Sequence, residues 1–157
     1  VSSLVEQEKK QSDLNIENDE IMMRQRDRTR IQSEFDQIPT IYSKKNLSYK
    51  IISANTRKNK YAPYMALWRK KVTPIGNAYY PKQARKLGLS GRVLLSVAVN
   101  RRGVIMRMSV LTSSGHKLLD ESAKRIIRLA SPFPKVPKHI IKDKNELIVL
   151  YDYVFKH

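Results

Sequence analysis

Three histidines, His116, His139 and His157, are the side chains best suited to metal binding or proton transfer. The chain has no cysteine, so a metal site would need carboxylates to complete a histidine set. His116 and Asp120 stand four residues apart, but this spacing is typical of a local hydrogen bond near a helix start. The sequence therefore predicts no metal site and no cofactor.

Nucleophilic and phosphate-binding motifs are also missing from the sequence. Ser113 and Ser114 do not lie in a Gly-x-Ser-x-Gly motif, and we interpret them as helix-capping residues. Gly88 and Gly91 are not followed by the Lys-Ser/Thr pair of a phosphate-binding loop. We therefore predict no catalytic residues and no enzymatic activity.

The net charge of +17 is distributed unevenly along the chain. Residues 1–50 hold nine acidic and nine basic side chains, so the whole excess falls in residues 51–157. A field of this sign attracts anionic partners such as nucleic acid, phospholipid headgroups or acidic proteins. Nucleic-acid binding thus stays open as an alternative function, expected to be salt-sensitive and not sequence-specific.

We predict that the N-terminal part of the chain is an extension and not a second domain with its own core, because 157 residues suit one domain with an added segment. Residues 20–35 lack Pro and Gly and carry only a thin apolar seam, which favours a solvated helix or a weak coiled-coil partner, with a partly frayed linker as the alternative. Pro39 is expected to end this helix, and residues 40–60 to form an irregular connector. Because the sequence starts at Val1 without a signal peptide, we expect a trimmed fragment with any membrane anchor upstream.

The C-terminal part alternates helical and strand patterns. A helix is expected from Ala62 to just before Pro74, and a short one from Pro81 to Leu87. Period-two alternation then predicts a hairpin of two strands and, after one more helix, a last strand over residues 147–155. The fold class that follows is α+β, with a three-stranded antiparallel sheet and helices on one face.

Several short motifs in a fixed order resemble a known family. They are the Tyr80-Pro81 helix start, residues 88–93 (Gly-Leu-Ser-Gly-Arg-Val), the hairpin of residues 97–103, and residues 113–116 (Ser-Ser-Gly-His). Together they resemble the C-terminal domain of TonB energy transducers over residues 54–155. The resemblance implies an extension over residues 1–53 and a TonB-like domain over residues 54–157.

In that family, an extended peptide called the TonB box, from an outer-membrane receptor, adds to the last strand of the domain. Strand addition requires a sheet edge with free N–H and C=O groups. The partner-binding residues that the resemblance implies are Asn77, Tyr79, Tyr80, Pro81, Val149, Leu150, Tyr151, Asp152, Tyr153, Val154 and Phe155. Asn77 and Tyr79 differ from the glutamines common in the family.

The resemblance also implies a cellular setting. The domain would be the periplasmic part of an inner-membrane-anchored bacterial protein, driven by an ExbB/ExbD-like motor through a segment upstream of Val1. It would couple the proton-motive force to nutrient or siderophore import, with a homodimer as a further assembly to test. A TonB/TolA-like scaffold domain in a trans-envelope complex is the alternative, because a fold does not fix a function.

Overall fold

The computed structural model describes residues 25–156 of the chain. The elements in this range are α1 (Gln25–Lys44), β1 (Tyr49–Ser53), α2 (Ala62–Ala78), α3 (Lys82–Lys86), β2 (Gly91–Asn100), β3 (Ile105–Thr112), α4 (Lys117–Ala130), α5 (Lys138–Ile141) and β4 (Glu146–Phe155). This succession of helices and strands confirms the α+β class.

Within the described residues, the strands form a four-stranded mixed sheet in the order β1-β4-β2-β3. β2 runs antiparallel to both β3 and β4, whereas β1 runs parallel to β4. The prediction of a three-stranded antiparallel sheet was therefore wrong in strand count, and residues 49–53 are a strand rather than irregular connector. Ile51 and Ile52 are buried on opposite faces, so this short strand lacks the polar–apolar alternation by which the others were recognised.

The main core lies between one face of the sheet and helices α2 and α4. Trp68 of α2 is fully buried and stacks on Phe133, with ring centroids 3.7 Å apart. Helix α4 buries Leu119, Ala123 and Ile126 among others, which confirms the helix predicted between the hairpin and the last strand. These helices hold the last strand, β4, from one side.

The opposite face of the sheet is covered by α1. Ile31 and Phe35 are almost completely buried against Leu94, Leu111 and other sheet residues. The predictions of a solvated helix and of helices on one face only were wrong, because two well-placed large side chains suffice to bury a thin seam. The expected helix start, residues 20–24, lies outside the described range.

Two helix ends also differ from prediction. Pro39 lies inside α1 and Pro74 inside α2, so neither proline ends its helix. A proline lacks one N–H donor and disfavours a helical residue before it, but packing on the sheet can offset that cost. The short helix α3 follows Pro81 as predicted, and Gly88 has the positive φ of 65° expected after its end.

Candidate functional site

The last strand, β4, has two edges with different neighbours. Along one edge, β2 pairs with the full length of β4, from Glu146 to Phe155. Along the other edge, β1 pairs only with the first half, from Tyr49 opposite Glu146 to Ser53 opposite Leu150. We call residues 151–155 the open segment, since no described strand pairs with its outer edge.

Backbone hydrogen bonding shows which residues of β4 face outward. The Ala54 N–H donates to the Leu150 carbonyl at 2.9 Å, so the polar backbone groups of Leu150 point toward β1. Because these groups alternate along a strand, those of Asp152 and Val154 point the same way and those of Val149 point to β2. Asp152 and Val154 therefore present the outward N–H and C=O groups of the open segment.

Aromatic side chains surround the end of the open segment. Tyr80 packs edge-on against Phe155, with ring centroids 5.6 Å apart, and Tyr153 lies 4.7 Å from Phe155 by the same measure. Gly76 of α2 lies against Tyr153, and a Cβ at this position would overlap the Tyr153 hydroxyl. The buried Tyr80 hydroxyl has no hydrogen-bond partner among the described residues.

The other residues expected before the last strand lie near the end of α2. Asn77 is exposed, and the half-exposed Tyr79 has its ring centroid 5.8 Å from the Arg125 guanidinium. Pro81 precedes α3 with an extended backbone, φ −67°. The structure thus brings Tyr80 to the open segment, while Asn77 and Tyr79 have no described contact with β4.

Asp152 places a nearly buried carboxylate on the face of the sheet that α1 covers. Its Oδ2 lies 3.2 Å from Arg92 Nε, and the carboxyl is only 7% exposed. Burial raises the pKa of Asp152 above its ordinary value of 3.8, while Arg92 and a hydrogen bond with Asn55 partly oppose the rise. Neither Arg92 nor Asn55 was anticipated from the sequence, because the β2–β4 register and the path after β1 bring them here.

Residues 76–152, about half of the chain, match the family described as the Gram-negative bacterial TonB protein C-terminal. The domain belongs to the TonB C-terminal family. Members of this family are periplasmic domains that serve in energy transduction and interact with receptors rather than catalyse reactions. No curated protein matches the chain.

Solved structures of TonB-type domains resemble this chain at modest levels. A Helicobacter pylori TonB C-terminal domain (residues 194–285 of that protein) is 28% identical, with a TM-score of 0.44, covering 58% of this chain and 96% of its own. A longer form (residues 179–285) is 25% identical, with a TM-score of 0.44, and the coverages are 65% and 97%. The HasB C-terminal domain is 23% identical, with a TM-score of 0.39 and coverages of 64% and 82%.

Polar contacts at both ends attach β1 to the TonB-type domain. At the start of β1, Ser48 accepts hydrogen bonds at its carbonyl from the Asn145 and Glu146 N–H groups, each at 3.1 Å. At its end, Arg69 Nη1 donates to the Ala54 carbonyl at 3.0 Å. These contacts join residues far apart in the chain, so the sequence alone could not indicate them.

The two serines considered as nucleophiles, Ser113 and Ser114, have structural partners. Ser113 and Ser114 donate their hydroxyls to the Asp120 carboxylate, and α4 begins after His116 without a side-chain cap. The serines were therefore wrongly predicted as caps. Residues 25–156 contain no group of three or more His, Cys, Asp or Glu side chains placed to hold a metal ion. Over the same part of the chain, no helix is both long and apolar enough to cross a membrane.

Proposed function

We propose that this domain captures an extended peptide of a TonB-dependent outer-membrane receptor by strand addition to β4. The observation that carries the proposal is the outward row of backbone groups at Leu150, Asp152 and Val154, of which the last two have no described backbone partner. Unpaired N–H and C=O groups on a regular edge strand are the template for an added strand.

The surroundings of the open segment suit such a partner. Tyr80, Tyr153 and Phe155 form an aromatic end to the edge, against which apolar peptide side chains can pack. The unpartnered Tyr80 hydroxyl and the unpartnered Asp152 Oδ1 flank the same segment. Small shifts on binding would let a peptide satisfy these groups, whereas a buried polar atom left unpaired is costly. Asn77 and Tyr79, which are exposed and precede Pro81, are the further residues of the proposed contact surface.

Membership in the family supports the wider role. We infer that the domain lies in the periplasm and is linked to the inner membrane by a segment upstream of Val1. An ExbB/ExbD-like motor would drive it with the proton-motive force, and the captured receptor would import a nutrient such as a siderophore. The net positive charge of residues 51–157 would favour approach to an acidic receptor surface.

The experiment compares Val154→Pro with Val154→Ala in the full chain. Proline removes the outward N–H donor of residue 154 and leaves the β2 ladder intact, so the variant should stay folded. Its affinity for extended peptides from receptor N-termini should fall by about tenfold, the loss expected for an unmade hydrogen bond at a buried interface. Alanine keeps the donor and removes most of the side chain, and should bind within about twofold of the parent.

Calorimetric titration of the peptides gives the affinities, and circular dichroism checks the fold. If Val154→Pro remains folded and binds as tightly as the parent, peptide capture does not use this edge. If no receptor peptide binds the parent at all, the TonB/TolA-like scaffold role takes the place of receptor capture.

A further inference from the structure

The outer edge of β4 is divided between an occupied half and the open segment. β1 fills the half from Glu146 to Leu150, in parallel register. The outward backbone row then continues past Leu150 to Asp152 and Val154 along the same line. A peptide that pairs with the open segment and is longer than it would therefore reach the part of the edge that β1 occupies.

The chain leaves this edge abruptly after Ser53. The Thr56 N–H donates back to the Ser53 carbonyl at 3.2 Å, and the Asn55 N–H donates to Ser53 Oγ at 3.1 Å. This turn carries the backbone away before it can pair with the backbone of Asp152, although the Asn55 side chain still reaches the Asp152 carboxyl. β1 is thus a five-residue strand that lies on a longer edge without filling it.

We propose that β1 is a resident strand on the peptide edge of β4, and that a peptide docked on the open segment displaces β1 and takes its place. The inference rests on the proposed function and adds its regulation: the edge is partly closed until an exchange occurs. The incoming peptide would run parallel to β4 along the displaced half, as β1 does.

The side chains of β1 define what the incoming peptide must carry. Ile52 is fully buried in the main core beside Val149, and Ile51 is buried on the opposite face beside Ile148. Releasing β1 would expose both, so a peptide that replaces it needs two consecutive apolar residues that point to opposite faces. A peptide with alternating polar and apolar residues would replace only one of them.

Exposed residues border β1 on both sides, although Ala54 and Thr56 directly after it are buried. Residues 43–46 before it and Asn55, Arg57, Asn59 and Lys60 after it are exposed. Arg69, which donates to the Ala54 carbonyl at the end of β1, is itself exposed on α2. Release would break the pairing with β4 and these end contacts, and it would uncover Ile51 and Ile52, whose burial the incoming peptide has to restore.

A disulfide lock tests the exchange in the full chain, which has no cysteine of its own. Ser53 and Leu150 are register partners on one face, and neighbouring strands are about 4.8 Å apart, within the Cα separation that a disulfide spans. The variant Ser53→Cys/Leu150→Cys is compared in its oxidised and reduced forms, so each protein is its own packing control. The probe is a labelled synthetic peptide with the sequence of residues 47–53 and an amidated C-terminus, which reproduces β1 without the Ala54 carbonyl that Arg69 binds.

Oxidation should weaken probe binding by about tenfold or more, because the locked β1 cannot be displaced. A second variant, Arg69→Ala, loosens the end of β1 without changing the core, and should bind the probe several-fold more tightly than the parent. Lys70→Ala, on the exposed face of the same helix, should bind it as the parent does.

Equal binding in the oxidised and reduced forms, no gain in Arg69→Ala, or no detectable probe binding in any form would each overturn the exchange. Those results leave the proposed function untouched if receptor peptides still bind the parent and lose affinity in Val154→Pro. Loss of receptor-peptide binding in the parent itself is the separate result that removes the proposed function.

Discussion

Tyr42, Arg107 and Glu146 form a polar cluster that joins the end of α1 to the sheet. The Tyr42 hydroxyl donates to Glu146 Oε1 at 2.8 Å, and Arg107 Nη2 donates to the Tyr42 hydroxyl at 2.6 Å and to Glu146. Glu146 is almost fully buried, so the hydrogen bonds from these two donors offset the cost of burying its carboxylate. Burial also raises the pKa of the Tyr42 hydroxyl, which keeps it protonated and able to donate.

Removing the guanidinium should leave the Glu146 carboxylate buried without its counter-charge. Arg107 is 32% exposed, which screens part of the pairing. We therefore expect Arg107→Ala to lower the free energy of unfolding by about 2–3 kcal/mol, somewhat less than for a fully buried pair. Urea denaturation measures this loss.

The control is the double variant Arg107→Ala/Glu146→Gln, which removes the buried charge together with its partner. It should be more stable than Arg107→Ala alone, since the neutral amide can still accept from Tyr42. If the double variant is less stable than the single one by the full cost of a second independent change, the two residues do not act as a pair.

At the scale of elements, the sequence predicted those parts of the fold whose side chains follow a simple period. β2, β3, β4 and α4 were found because apolar residues recur every second residue, or every third and fourth. β1 was not predicted, because it is short and buried on both faces. The extent of the candidate site was limited for the same reason: Tyr80 and the last strand were anticipated, but the strand beside Leu150 was not.

Helix α1 provides a direct test of the second layer. Phe35 is almost fully buried against the sheet face opposite α2 and α4. Phe35→Ala should therefore lower the free energy of unfolding by about 3–5 kcal/mol, as for other large-to-small changes in a core. A solvated helix, as the sequence suggested, would lose less than about 0.5 kcal/mol.

Glu34→Ala is the matched control for this change, since Glu34 is the exposed neighbour of Phe35 on the same helix. Its stability should stay within about 0.5 kcal/mol of the parent. Similar losses in the two variants would mean that α1 is sensitive to any truncation and not specifically to the buried ring.

At the scale of the whole molecule, helices cover both faces of one sheet, and residues 25–53, the described part of the N-terminal extension, take part in the folded unit. Both α1 and β1 lie before the boundary at residue 54 that the family resemblance suggested. Nevertheless, α1 packs on the sheet and β1 pairs with β4. That boundary stays a prediction about which part can fold alone. The contacts across it argue that residues 25–53 contribute to stability even where the family match does not extend.

Limited proteolysis with trypsin can separate these two views. The exposed basic residues Lys44 and Lys45 precede β1, and Arg57 and Lys60 follow it, so cleavage should start at these two segments. Because Ile31 and Phe35 stay packed on the sheet, the fragment that contains α1 should co-elute with the C-terminal fragment in native buffer and separate only in denaturant. Size-exclusion chromatography with mass spectrometry of each peak gives the result. A C-terminal fragment that elutes alone and unfolds as cooperatively as the parent would show instead that the domain folds without the extension, as the boundary at residue 54 implies.

The nicked form adds a further distinction. Cleavage on both sides of β1 removes its covalent tethers, so a resident strand held by non-covalent contacts alone should then exchange with added β1 peptide faster than in the intact chain.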